Sequence, residues 1–278
     1  MDRLDVLMFN LGLAKSREKA KQMIISNTVY VNGKLVNKPS TIFDKQCEIK
    51  IDLPEFEFVS RAAFKLKKAV EEFNIELKDK ISVDVGASTG GFTDFMLKNG
   101  CALVYAIDSG QNQLAEDLLN NKRVISMERT NFRYIDVGIF KEKIDFICVD
   151  VSFISIELIL PKIVEICNEN TDVVVLVKPQ FEAGKGNVGK NGIIKDKKMH
   201  VKILEKVHKY FFDNKLFIND IIYSPITGGD GNIEYLVHAR YDKMNINFEN
   251  NLYEIIKKIT NESFKNLWVF RRKALVSL

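Results

Sequence analysis

Histidine and cysteine are scarce in this 278-residue chain, and each scarcity excludes something. The three histidines, His200, His208 and His238, are scattered and offer no histidine metal site, so no metal is expected. The four cysteines, Cys47, Cys101, Cys148 and Cys167, share no close spacing, and no Cys-x-x-Cys occurs. Neither a zinc knuckle nor a disulfide scaffold is supported, and a reducing compartment fits. Fifteen Gly and five Pro exclude collagen-like or low-complexity character. No apolar run approaches the ~18–20 residues that span a bilayer; Val173–Val177 has five. Asp2 and Asp5 stand where a signal peptide needs positive charge. A cytoplasmic protein with no membrane partner is therefore expected. Hydrophobic residues make up 46% and charged residues 28%, which suits a packed core and excludes global disorder.

The net charge is +4, unevenly spread. Residues 1–53 carry +3, residues 254–278 carry +4, and the stretch between carries −3. Basic ends on a mildly acidic body suit a polyanionic partner, although lysine-rich surfaces are also ordinary solvation.

Residues 1–53 read as a small α+β module. Leu4, Leu7, Met8 and Leu11 fall on one helical face, and Gly12 stands where a helix stops. REKAKQMII follows as a second helix, capped by Ser16. Val29 and Val31 alternate before Asn32-Gly33, a strong hairpin signal. Lys15, Arg17, Lys19 and Lys21 lie on the exposed side of the second helix. Like charges at Arg17 and Lys21, four apart, disfavour the helix unless an external anion meets them.

Residues 54–60 read as a linker, residues 61–243 as a second domain, and residues 244–278 as a basic helix or tail. VSRAAFKLKKAVEEF is helical by its apolar stripe. Strands then alternate with helices: 81–85, 103–108, 124–127, 144–150 and 172–178, with final strands at 218–223 and 233–240. Helices fit at 92–98, 113–120, 156–167 and 199–212. The β-branched runs suit strands buried on both faces. The expectation is an α/β fold, a doubly wound Rossmann-like sheet with ligands at the strand carboxyl ends.

VDVGASTGGF follows the first of these strands and opens a helix. Its residues Asp84, Gly86, Ala87, Ser88, Thr89, Gly90, Gly91 and Phe92 are candidate cofactor contacts, the glycines allowing a sharp turn and close approach. Asp108 ends the next strand, placed to accept from ribose hydroxyls. The loop is neither Gly-x-Gly-x-x-Gly nor a Gly-Lys-Ser/Thr phosphate loop, and it carries no basic side chain. A cofactor with ribose and no phosphate fits, and S-adenosylmethionine is the common one. Asp150 and Lys178 close neighbouring apolar strands, Glu234 lies in the last strand, and Lys65 precedes the sheet.

SREKAKQMIISNTVYVNGKLVNKPS resembles the RNA-binding module named after ribosomal protein S four. VDVGASTGGFTDFML, AIDSGQNQLA, ERTN, DVSFIS, LVKPQFEAG and PITGGDGNIEYL, in that order, resemble the TlyA (haemolysin A) family of ribosomal RNA 2′-O-methyltransferases, over roughly residues 2–241. The resemblance implies an FtsJ-like methyltransferase domain and methyl transfer from S-adenosylmethionine to a cytidine 2′-oxygen in rRNA of the small subunit, the large subunit or both. The implied partners are ribosomal RNA or ribosomal subunits. It also implies that Lys65, Asp150, Lys178 and Glu234 form the family's catalytic tetrad, that Asn131 and Asp150 contact the cofactor, and that Arg61 contacts RNA. Ala62-Ala63 stands where the family has Gly-Gly. Lysine titrates near ~10.4 when free, so Lys178 is open to two roles, a charged orienting group or a base. A non-enzymatic RNA-binding factor, a membrane-lysing protein and a small-molecule methyltransferase are the competing readings.

Overall fold

The computed structural model describes residues 1–14, 17–25, 29–51, 58–184, 186–189, 192–241 and 252–276, with the side chains of 19, 22 and 268–276 outside the description. The chain divides into two compact units, Met1–Glu57 and Phe58–Leu278.

In the first unit, β1 (Asp2–Arg3) leads into α1 (Leu4–Asn10) and α2 (Arg17–Ile25). Short strands follow: β2 (Val29–Val31), β3 (Lys34–Leu35), β4 (Ile42–Phe43) and β5 (Ile49–Ile51). Gly12 takes φ +71°, and the Leu13 N–H donates back to the Met8 carbonyl, which closes α1. The helix therefore stops before Leu11, which is exposed and not on the buried face that its spacing suggests. Asn32 and Gly33 both have positive φ and pair Val31 with Lys34 across a two-residue turn. β5 pairs with the other edge of β2. Leu4, Met8, Ala20, Ile24, Val29 and Val31 form this unit's core. A further ladder joins β1 to β4; two residues each show no period by which a sequence could announce them.

The second unit begins inside the stretch that reads as a linker. Phe58 is buried, with its ring 5.7 Å from Phe64 and 5.6 Å from Phe95. After α3 (Ala63–Glu72) comes a seven-stranded sheet: β6 (Ile81–Val85), β7 (Leu103–Ile107), β8 (Val124–Met127), β9 (Phe146–Val149), β10 (Asp172–Val177), β11 (Leu216–Tyr223) and β12 (Tyr235–Tyr241). Its spatial order is β11-β12-β10-β9-β6-β7-β8, and β12 runs antiparallel to both neighbours. Between the strands lie α4 (Gly91–Lys98), α5 (Glu116–Leu119), α6 (Leu160–Ile166), α7 (Pro179–Glu182) and α8 (Lys197–Asp213); α9 (Leu252–Val276) follows β12.

Every residue of β10 is buried, and the two faces of the strand serve two cores. Val173, Val175 and Val177 pack with Ile163 of α6, Leu204 and Phe211 of α8, and Ile256 of α9. Val174 and Leu176 pack with Leu66 of α3 and with Phe95 and Met96 of α4. The expected doubly wound sheet is thus present. Of the basic helix or tail expected at 244–278, residues 252–276 form a 25-residue helix, and it docks Leu252, Ile256 and Ile259 on the first of these cores. Among the described residues, no helix is long and apolar enough to cross a membrane.

Candidate active site

Parallel strands that start together end together. β9 and β10 pair Val149 with Val175, so Asp150 and Lys178 both emerge at the carboxyl edge. β12 is antiparallel, and its first residue, Tyr235, pairs with Val177. Glu234, one residue earlier, therefore arrives at the same edge as Lys178 although 56 positions separate them in sequence. Lys65 reaches the group from α3.

The four side chains form two ion pairs. Lys65 Nζ donates to Glu234 Oε2 at 2.6 Å, in nearly complete burial. Lys178 Nζ lies 2.5 Å from Asp150 Oδ1 and donates to Ser152 Oγ at 2.8 Å. Burial raises the Glu234 carboxyl above its ordinary value; Lys65 and then Lys178 pull it back, and the Asp150 charge raises it further. Gly228 makes room for this carboxylate, since a Cβ there would stand 2.5 Å from Glu234 Oε1. Asp150 Oδ1 is buried and, apart from the ion pair, accepts no well-directed hydrogen bond.

A cavity of about 510 Å³ opens beside Asp150, lined by Gly86, Ser88, Asp108, Asn131, Phe132 and residues 150–154 among others. A smaller one of about 200 Å³ is lined by Asp84, Ala87, Thr89, Gly91, Phe92, Ala62 and Lys178. The two share Gly86, Ser88, Asp150 and Ser152. Asp108 shapes the larger one: its carboxylate accepts the N–H of Ser88 (2.8 Å) and of Gly110 (2.7 Å). Asn131 accepts the Arg133 N–H at 3.1 Å and orders the opposite wall.

Two loop glycines also do structural work that the sequence did not reveal. At Gly86 (φ +87°) a Cβ would collide with the Asp150 carbonyl, so the glycine lets two strands close together. At Gly90 (φ +94°) it would collide with Leu118, and Gly90 lines neither cavity. Asp84 is fully buried and accepts from Thr93 Oγ1 at 2.6 Å; burial pushes its pKa up to about 7.

Arg17 and Lys21, an unmet pair of like charges by sequence, have acid partners within the first unit. Arg17 Nη2 donates to Asp5 Oδ2 at 3.2 Å, and Arg3 donates to the same fully buried carboxylate at 2.9 Å. Hydrogen bonds from Arg3 hold the Asp5 carboxyl below its usual range. Lys21 pairs with Glu18 at 3.0 Å. Arg17 remains half exposed. Lys15 and the side chain of Lys19 lie outside the described residues. Arg61 is exposed, next to Ser60 and Ala62 of the smaller cavity, in the second unit.

Several site residues escaped sequence reasoning. Ser152 holds Lys178, and Gly228 accommodates Glu234. Glu128 accepts the N–H groups of Asn112 (2.8 Å), Gln113 (2.8 Å) and Leu114 (3.3 Å), which lower its pKa and order the loop beside the larger cavity. Phe153, at φ +63°, is 92% exposed beside Ser152, its ring 5.1 Å from that of Phe181. The DVSFIS motif contains both Ser152 and Phe153, and that is the signal that could have found them. Among the described residues, no group of three or more His, Cys, Asp or Glu is placed to hold a metal ion.

Residues 58–241 match the family of FtsJ-like methyltransferases, and residues 2–47 match the S4 domain. The second unit is thus a methyltransferase domain of the FtsJ-like class. Among curated relatives, the Bacillus subtilis protein YqxC, provisionally named an rRNA methyltransferase, is 42% identical over 267 residues, 96% of this chain and 95% of that one. The Mycobacterium tuberculosis 16S/23S rRNA (cytidine-2′-O)-methyltransferase TlyA is 37% identical over 86% of this chain and 89% of its own. A solved Streptococcus thermophilus structure bearing a hemolysin name superposes with a TM-score of 0.78, at 41% identity and 98% coverage of both chains. The chain belongs to the TlyA (hemolysin A) family.

Proposed function

We propose that this protein transfers the methyl group of S-adenosylmethionine to the 2′-oxygen of a cytidine ribose in ribosomal RNA, acting in the cytoplasm on rRNA or a ribosomal subunit. The observation that carries the reading is the position of Lys178, which lines the smaller cavity and is ion-paired to Asp150, a residue on the wall of both cavities. The larger cavity is within the ~300–1,000 Å³ of small-molecule sites. The residues present suit this cofactor. Asp108 keeps further lone pairs for ribose hydroxyls, and no basic side chain stands in the loop to meet a phosphate. Gly86, Asp108 and Asn131 would hold it, and it supplies an electrophilic methyl on a sulfonium.

A ribose hydroxyl is a weak acid, so the chain's task is to align it and ease its proton away. An ammonium paired to a carboxylate donates and does not accept, which favours Lys178 as the group that orients the hydroxyl and steadies the charge growing on its oxygen. Asp150, a carboxylate on the wall of both cavities, is the acceptor for the departing proton. Lys65, locked by Glu234, adds positive charge beside the nucleotide.

Incubation with tritiated S-adenosylmethionine and ribosomal subunits, followed by mapping of 2′-O-methylcytidine, tests the reading. Lys178→Ala is expected to lose ~10²–10³ in rate with both substrates still bound. Label found only on bases, or undiminished turnover in Lys178→Ala, would overturn it.

A further inference from the structure

Glu234 lies within a four-residue stretch that a closed hydrogen-bond circuit grips at both ends. Asn232, fully buried, accepts the Ile194 N–H on Oδ1 at 3.0 Å and donates Nδ2 to the Gly192 carbonyl at 2.8 Å. The carbonyl of the same Ile194 lies 3.0 Å from His200 Nε2, and His200 Nδ1 lies 2.9 Å from the Tyr235 hydroxyl. A carbonyl can only accept, so Nε2 carries the proton of the neutral ring, Nδ1 accepts and Tyr235 donates. Burial lowers the His200 pKa and pushes Tyr235 up to about 12, so both stay in these forms at working pH. Ser263 of α9 stands 3.2 Å from the tyrosine oxygen, and its own proton goes to the Thr260 carbonyl at 3.0 Å.

Successive residues of a strand face opposite ways. Tyr235 points into the core formed with α8 and α9, while Glu234 reaches Lys65 on α3. His200, Tyr235 and Ser263 are all fully buried. Apolar residues would fill that space without desolvating polar groups; what hydrogen bonds add is direction.

We propose that His200 and Tyr235 are positioning residues for methyl transfer: the circuit Asn232–Ile194–His200–Tyr235 fixes the backbone of Glu234, and Glu234 in turn fixes the Lys65 ammonium. The inference rests on the function proposed above.

The test uses the full-length protein, tritiated S-adenosylmethionine and ribosomal subunits. Tyr235→Phe removes the hydroxyl and keeps the ring. It is expected to lower kcat about tenfold with both KM values nearly unchanged, as a small misplacement does. The acidic limb of its kcat–pH profile should move to higher pH. Glu234 faces Lys65, Lys178 and Asp150, and in this variant the lysine attraction that favours its charged form weakens. His200→Gln, which keeps a donor and an acceptor, should retain most activity, and His200→Leu should not. An unchanged kcat in Tyr235→Phe, an unmoved pH limb, or equal losses in His200→Gln and His200→Leu would overturn the proposal. Lack of transfer by the native protein would count against the function instead. The positioning claim is then decided by the structure of Tyr235→Phe, in which an unaltered 2.6 Å distance between Lys65 and Glu234 would refute it.

Discussion

Asp84 ends up in the least hospitable place for a carboxylate, fully buried at the carboxyl end of β6 with the Asp150 charge nearby. Burial lifts its pKa from 3.8 to about 7, against the pull of the Thr93 hydroxyl. A carboxyl with a raised folded pKa favours the native state below its unfolded pKa, and that contribution is lost as pH rises through the folded one. Asp84→Asn fixes the neutral form. The variant should therefore gain stability over the native protein between pH 5 and pH 8, by about 3 kcal/mol, the two pH units between pH 5 and the folded pKa near 7. Urea unfolding at both pH values checks this, and parallel stability curves would show that Asp84 does not titrate there. At this scale the sequence was informative about chemical type and silent about partners. Asp84, Asp150, Lys178 and Glu234 are all marked by polar character at the ends of apolar strands. That Lys65 pairs with Glu234, and Lys178 with Asp150, depends on contacts between residues far apart in the chain.

Elements with a strong local pattern were legible and those without one were not. Strands β6, β7, β9 and β10 stand out as β-branched runs because each is buried on both faces or nearly so, whereas β8, at the sheet edge, leaves Ile125 exposed. The helix expected at 113–120 shrinks to α5 because the N–H groups of Gln113 and Leu114 are taken by Glu128. The helix expected at 156–167 divides into a 3₁₀ turn, Ile156–Leu158, and α6, whose Pro161 stands in its first turn. Arg17 and Lys21 looked like an unmet pair of charges because Asp5 is twelve residues away from Arg17 and contributes nothing to the helix's own pattern. α9 was expected as a helix or a tail, and its docking on the core is what the sequence did not show. Ile256 is 1% exposed in the sheet's core, so Ile256→Ala should cost about 2–5 kcal/mol of unfolding free energy. A free tail would cost less than about 0.5 kcal/mol, and denaturant titration of the full chain separates the two.

Across the whole molecule, one unit carries the basic helix face and the other carries the transfer site. Neutralising Arg17 and Lys21 together to Gln should weaken RNA binding and flatten its salt dependence, by ~0.7–0.9 in log–log slope for each phosphate no longer neutralised. The affinity for S-adenosylmethionine should not change, and binding titrations at several salt concentrations measure both effects. Glutamine suits this test better than glutamate, which would set a second acid against the buried Asp5. The antiparallel strand has a consequence in time. β12 is the last strand of the sheet to be synthesised, yet it lies between β10 and β11. Lys65, Asp150 and Lys178 leave the ribosome first, and Glu234 joins them only when the β11–β12 hairpin adds β12 to the free edge of β10. A nascent or truncated chain that stops short of β12 lacks Glu234, the partner of Lys65, and is expected to be inactive however much of the sheet it has built.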